Sequence, residues 1–295
     1  MLADVKRRVD VMVIDGQKPC LWTGDIEKAF DRVRPGDVMK QIGASGLNLF
    51  SETRGQQKAS EAELELRLGE SHSRGFPKRW RREMRRLRTL VERVLRGHAN
   101  SDQGIIQGGP FSPLALDLLL DGAVDEHMMK LNETKSLWFW RYVDDMLLLG
   151  PSAQTCKDAV DEVLLPQLAL QGMNLKSRKT QTADLNVGET IEALGLSLRL
   201  HDGELVFQAP ADAAETAAAA AGKIWLGEAS LHRFRLLLEG LLGAYSPVLG
   251  EDQQFGRELR NAVLSQSPRR FSSQEYHQIQ SRAVSSWQRV LHEAG

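Results

Sequence analysis

The sequence predicts an α+β chain, with an antiparallel sheet packed on helices over residues 1–206 and helices alone over 207–295. Three observations predict it. Short apolar runs of strand length recur through the first two thirds, bounded by turn residues. The polar pair Asp144–Asp145 stands between two such runs and marks a hairpin bend. From Pro210 onward the apolar spacing is helical only.

In order, residues 1–15 carry helical spacing and reach a turn at Asp15-Gly16. CLWTGDI, which leads into Asp25, fits a short buried strand. DIEKAFDRV follows, Pro35-Gly36 breaks the chain, and DVMKQIGAS predicts a helix. Residues 51–75 are polar and rich in Gly, Ser, Glu and Gln, which predicts an exposed loop with helical pieces. Residues 77–97 predict a helix: Trp80, Met84, Leu87, Leu90-Val91 and Val94-Leu95 recur at helical spacing between Pro77 and Gly97. PFSPLALDLLLDGAVDEHMMKL predicts a long helix entered at Ser112-Pro113, and SLWFWRYVDDMLLLG a β-hairpin. SAQTCKDAVDEVLLPQLALQG predicts an amphipathic helix. NLKSRKTQTADL and IEALGLSLRL read as strands before the turn His201-Asp202-Gly203. ADAAETAAAAAGKIW, LHRFRLLLEGLLGAY and SSQEYHQIQSRAVSSWQRVLHEA then predict three helices, and the break near 207–211 a domain boundary.

Composition narrows the function classes. Hydrophobic residues make up 42% and charged residues 26% of 295, enough apolar matter for a core. No apolar stretch approaches the roughly 20 residues of a membrane helix, and MLADVKRRVD lacks the apolar region of a secretory signal. These features point to a cytoplasmic protein with no membrane partner. Cys20 and Cys156 are too few for a disulfide framework or a cysteine-based zinc site and read as reduced thiols. The net charge of −1, from 38 basic and 39 acidic residues, lacks the basic surplus of a dedicated nucleic-acid binder. The distribution is polarised all the same: Arg74 to Arg96 holds ten Lys/Arg against Glu83 and Glu92, while EAELELRLGE at 61–70 is acidic.

Three carboxylates stand in costly places. Asp25 ends an apolar strand, and Asp144–Asp145 interrupt another, between Tyr142-Val143 and Met146-Leu147-Leu148. Carboxylates at buried strand ends need a compensating cation. Two Mg²⁺ ions about 3.5–4 Å apart supply it in phosphoryl-transfer sites. The alternative is that Asp-Asp is an ordinary turn dipeptide.

Five segments together resemble the reverse transcriptase family in order and spacing. GDIEKAFD at 24–31 is similar to its first palm motif, a strand-end Asp followed five residues on by an aromatic residue. GIIQGGPFSPLALDLLLD at 104–121 resembles the second, a Q-G-x-P-x-S-P turn leading into a long helix. RYVDD at 141–145 resembles the Y-x-D-D hairpin, GMNLKSRKT at 172–180 the fourth motif, and EALGLSL at 192–198 the L-G hairpin before the thumb. The bacterial group, such as group II intron, retron or CRISPR-associated enzymes, is the nearest in flavour.

The resemblance implies a right-hand polymerase palm over 1–206, with partial fingers at about 46–103 and an all-α thumb-like region over 207–295. It implies RNA-directed DNA polymerase activity with two Mg²⁺ (or Mn²⁺) ions, an RNA template, a DNA or RNA primer and deoxynucleoside triphosphates. Asp25 and Asp144 would ligate both ions, the Ile26 carbonyl would complete a site, and Asp145 would assist near the primer end. Phe30 matches the aromatic gate that excludes a ribose 2′-OH; the alternative is core packing. Asp31, one residue later, would face the other way on a pleated strand. Gln107 and Gly108 match the turn that contacts template and nucleotide, where glycine lets backbone approach a ligand; the alternative is a helix-entry turn. Lys179 matches the lysine proposed to protonate departing pyrophosphate, or is a surface lysine. Tyr142 packs near the primer end or serves strand propensity. Arg79, Arg82, Arg86 and Arg93 share a helical side and could follow a phosphate backbone, or pair with the acidic 61–70 segment.

Only 24 residues precede Asp25, whereas the family carries an upstream fingers region whose basic residues grip the triphosphate. A fragment, a separate fingers-bearing polypeptide, or impaired catalysis would each account for that. The second function is therefore a palm-like scaffold that binds nucleic acid or protein without catalysis. Service to a mobile element and antiviral defence are both compatible with the sequence.

Overall fold

The computed structural model describes residues 1–42, 86, 89, 93, 104–105, 111–227, 230–268 and 270–293. The expected loop at 51–75, Arg79, Arg82, Gln107 and Gly108 lie outside the described residues. So does the fingers stretch at 46–103, save Arg86, Thr89 and Arg93.

The described elements form two compact units. Met1–Thr23, Leu147–Cys156 and Gln181–Gly295 make one, and Gly24–Met146 with Lys157–Thr180 the other. In the first, helix α1 (Leu2–Ile14) buries Ala3, Val5, Val9 and Met12, the repeat the sequence carries. A three-stranded antiparallel meander follows later in the chain: β5 (Ile191–Ala193), β6 (Leu196–His201) and β7 (Glu204–Gln208). Helix α1 packs on β7 and is tied to it by polar groups. Lys6 Nζ donates to the Leu205 carbonyl at 2.8 Å, and Asp10 accepts from the Leu205 N–H at 2.8 Å.

From Ala213 onward the described residues of that unit are helical, as the apolar spacing after Pro210 predicts. The helices are α8 (Ala213–Gly227), α9 (Leu231–Ala244), α10 (Ser246–Leu249), α11 (Gln253–Gln266) and α12 (Ser273–Glu293). The predicted three segments are five because Tyr245-Ser246-Pro247 and Asp252 each begin a new helix, Asp252 by accepting the N–H groups of Gln254 and Phe255. Phe234, Leu238, Val263 and Tyr276 fill the core, with Phe234 and Phe271 edge to face at 5.2 Å.

The four-stranded sheet runs in the order β2-β3-β1-β4. Strand β1 (Cys20–Asp25) pairs antiparallel with β4 (Gln181–Asp184), from Cys20 opposite Asp184 to Thr23 opposite Gln181. All six β1 residues are buried, because an inner strand covered on both faces has no solvent side. Strands β2 (Trp138–Tyr142) and β3 (Asp145–Gly150) make the expected hairpin about Val143–Asp144.

Helices α2 (Ala29–Arg32) and α3 (Pro35–Ile42) follow β1 in the second unit. The long helix expected from Ser112 is α4 (Ser112–Leu120), a π-helical segment Asp121–Asp125, and α5 (Glu126–Lys135). The amphipathic helix after the hairpin is likewise α6 (Ala153–Ala159), a π segment Val160–Leu164 and α7 (Leu165–Leu170). NLKSRKTQTADL is strand only at β4; Ser177–Lys179 form a 3₁₀ turn instead. Among the described residues, no helix is long and apolar enough to cross a membrane.

Candidate active site

Asp25 is the last residue of β1 and is 4% exposed. The chain around it is pinned by backbone hydrogen bonds. The Ile26 N–H donates to the Asp144 carbonyl at 3.1 Å, which brings the end of β1 to the β2–β3 turn. On the other side, the Lys176 N–H donates to the Asp25 carbonyl and the Glu27 N–H to the Asn174 carbonyl, each at 2.8 Å. Residues from four of the five sequence motifs thus lie in one place: Asp25 and Ile26, the Arg141–Asp145 turn, Lys176 and Lys179, and the start of the second motif described next.

Phe30 does not sit on a strand. After β1 the chain turns at Lys28, whose φ is +51°, into the single helical turn of α2. The pleated-strand argument for Phe30 against Asp31 is corrected by that turn, since neighbours on a helix differ by about 100° in direction. Phe30 is half-buried. Its carbonyl accepts the Ile105 N–H at 2.9 Å, while the Gly104 N–H reaches the Val33 carbonyl at 2.8 Å. Gly104 has φ +89°, and a Cβ there would lie 3.6 Å from the Asp31 carbonyl oxygen. Its glycine suits that left-handed conformation. The stretch that opens the second motif is thus held beside Phe30.

Charge is unbalanced in the site. Burial pushes the Asp144 and Asp145 carboxyls above the usual carboxylate range, and the neighbouring carboxylates push them further. Asp25 Oδ1 is buried without a hydrogen-bond partner, as is the Thr23 hydroxyl on the same strand. The other oxygen of Asp25 is taken by lysines: Lys179 Nζ hydrogen-bonds Asp25 Oδ2, and Lys176 Nζ lies 3.9 Å from the same oxygen. That bond raises the Lys179 pKa and keeps its ammonium charged. A buried carboxylate oxygen with no donor, beside two carboxyls resisting ionisation, is the chemistry that hard divalent cations with oxygen ligands satisfy. The carboxylate and carbonyl oxygens of Asp25, Asp144, Asp145 and Ile26 are of the donor type such ions take. Among the described residues, however, no three His, Cys, Asp or Glu side chains are gathered closely enough to hold an ion as they stand.

Tyr142 ends β2 and is 62% exposed. Arg86 and Arg93 are exposed and helical. The sequence reading missed Lys176, which lies three residues before Lys179 and shares its carboxylate. It also missed Arg141, whose signal is a guanidinium directly before the motif tyrosine with two aspartates in an apolar helix upstream. Arg141 Nε and Nη2 bond Asp125 at 2.9 and 2.6 Å, and Nη1 bonds Asp117 at 2.7 Å.

Residues 3–198 match the family model for reverse transcriptase (RNA-dependent DNA polymerase). No curated protein matches the chain. Among solved structures, apo telomerase from Candida tropicalis is similar at a TM-score of 0.52 and 12% identity, over 100% of this chain and 51% of that one. The telomerase of the same organism in complex with a fragment of telomeric RNA gives 0.51 and 13%, over 99% and 52%. The chain therefore spans about half the length of these structures, and at such identities the likeness is one of fold. That fold is the right-hand polymerase, mixed helix and antiparallel sheet. With the family model matched from the first helix to β6, the chain belongs to the reverse transcriptase (RNA-dependent DNA polymerase) family.

Proposed function

We propose that this chain catalyses RNA-directed DNA synthesis, with Asp25, Asp144 and Asp145 as its metal-binding carboxylates. One observation carries the reading: Asp25 Oδ1 is buried and without a donor in a site where Asp144 and Asp145 already resist ionisation. Asp25, Asp144, Asp145 and the Ile26 carbonyl would hold two Mg²⁺ or Mn²⁺ ions. Such ions, when bound, polarise the phosphoryl oxygens and lower the pKa of the attacking hydroxyl.

In the reaction the primer 3′-hydroxyl gives up its proton to water, and its oxygen bonds the α-phosphorus of a deoxynucleoside triphosphate. The bond from that phosphorus to the bridging oxygen breaks, and pyrophosphate leaves. Lys179 enters this step charged, because its bond to Asp25 favours the ammonium; released from Asp25, it can give its proton to the departing pyrophosphate. Phe30 would fill the space of a ribose 2′-OH, held there through the Ile105 bond to its carbonyl. Gln107 and Gly108 would touch template and nucleotide, and Tyr142 the primer end. Arg79, Arg82, Arg86 and Arg93 would follow phosphates. The helices after residue 207 would act as the thumb. The bacterial kinship read from the motifs belongs to the same proposal.

A second reading has its own observation: Lys179 and Lys176 both approach Asp25, so a carboxylate already paired with lysine favours a palm-like scaffold that binds nucleic acid or protein without catalysis. Primer extension on an RNA template with deoxynucleotides and Mn²⁺ separates the two. Extension by the wild type and none by Asp144→Ala/Asp145→Ala is expected. Equal signal from both proteins removes the enzymatic reading, and a preference for ribonucleotides removes the role of Phe30.

A further inference from the structure

We propose that Arg141 is a positioning residue for Asp144, clamping the Val143–Asp144 turn to the helix that precedes β2. The inference rests on the proposed role of Asp144. Val143 has φ +59°, the left-handed region in which a β-branched residue is strained. Such a conformation persists only where surrounding contacts hold it. The Arg141 side chain is 6% exposed, and its Nη1 donates to the Val143 carbonyl at 2.8 Å. That carbonyl belongs to the peptide bond that joins Val143 to Asp144. The next carbonyl, of Asp144 itself, accepts the Ile26 N–H at 3.1 Å. Asp144 is therefore fixed from both sides, by Arg141 before it and by β1 after it.

The guanidinium is itself fixed. Nε donates to both Asp125 oxygens at 2.9 and 3.1 Å, Nη2 to Asp125 at 2.6 Å, and Nη1 to Asp117 at 2.7 Å. On an ideal α-helix, residues eight apart stand about 80° apart around the axis. The wider π segment Asp121–Asp125 takes up that offset, so one guanidinium grips both aspartates. A role confined to neutralising Asp125 would use Nε and Nη2 alone and leave the turn without a bond from Nη1. Lysine at 141 keeps the charge but cannot hold Asp125, Asp117 and the Val143 carbonyl in one plane.

The test compares wild type, Arg141→Lys, Val143→Gly and the double variant, by single-nucleotide addition on an RNA template and by thermal melting. Arg141→Lys is expected to lower kcat about 10- to 100-fold with KM for the deoxynucleotide within about twofold. Glycine takes the left-handed conformation without a clamp, so Val143→Gly should restore most of that kcat in the double variant. An unchanged kcat in Arg141→Lys overturns the proposal, as does a folded double variant that recovers nothing. Should Arg141→Lys melt below the assay temperature, Arg141→Met/Asp125→Leu removes the buried pair without leaving a lone charge, and rescue by Val143→Gly is read there. If the wild type does not extend primers, the polymerase reading fails by itself and melting decides the clamp. The loss of Tm from Arg141→Lys must then be smaller beside Val143→Gly than alone; equal losses overturn it.

Discussion

The chain makes two tight hairpin turns that look alike and are held by different means. Between β6 and β7 the turn is Asp202-Gly203, with φ of +51° and +84°. Asp and Gly are the residues that a two-residue hairpin with positive φ at both positions favours, so this turn forms from its own chemistry. Between β2 and β3 the turn is Val143–Asp144, and the residue at φ +59° is β-branched. Nothing local favours it. It is held by Arg141 from one side and by the Ile26 N–H from the other. Asp202 points to solvent at 92% exposure, whereas burial raises the Asp144 carboxyl. Strain is confined to one of them: the turn that only reverses the chain is relaxed, and the turn that carries the carboxylates is held from outside.

The largest expected effect is functional. Asp144→Asn should lower RNA-templated nucleotide addition by at least about 10³-fold, while the same change at Asp202 should leave the rate within about twofold. Similar losses at both turns would erase the contrast. Stability comes next. Arg141→Ala leaves the half-buried Asp125 without its partner, which should cost about 3 kcal/mol in denaturant unfolding. His201→Ala, beside the relaxed turn, should cost under about 0.5 kcal/mol. The smallest effect has opposite signs at the two turns. Val143→Gly should raise stability by about 1 kcal/mol by removing the left-handed cost, and Gly203→Ala should lower it by about the same. The alanine Cβ would meet only Val13 Cγ1 at an ordinary 3.7 Å, so its cost would be backbone alone. Equal signs would show that Val143 is not strained.

Much of this contrast was legible in the sequence. CLWTGD announced a buried strand ending at a carboxylate, and RYVDD a hairpin with its acids at the bend, because local apolar patterning decides both. The His201-Asp202-Gly203 turn was legible for the same reason. Phe30 was misplaced on a strand because the left-handed Lys28 that starts the helical turn carries no local signal, lysine having no preference for that conformation. The lysine pairing at Asp25 spans 154 residues and the Arg141–Asp125 bonds join a strand to a helix, so neither can be read from neighbours in the chain. The π segments are insertions of a fraction of a turn, invisible to a 3.6-residue period.

The role of the three carboxylates is tested most directly by the time course of a single deoxynucleotide added to a primer on an RNA template, comparing wild type with Asp25→Asn in Mn²⁺. Incorporation by the wild type and none by the variant is expected, with both proteins folded. Incorporation at equal rates, or none by a folded wild type across templates and both metals, would contradict that role.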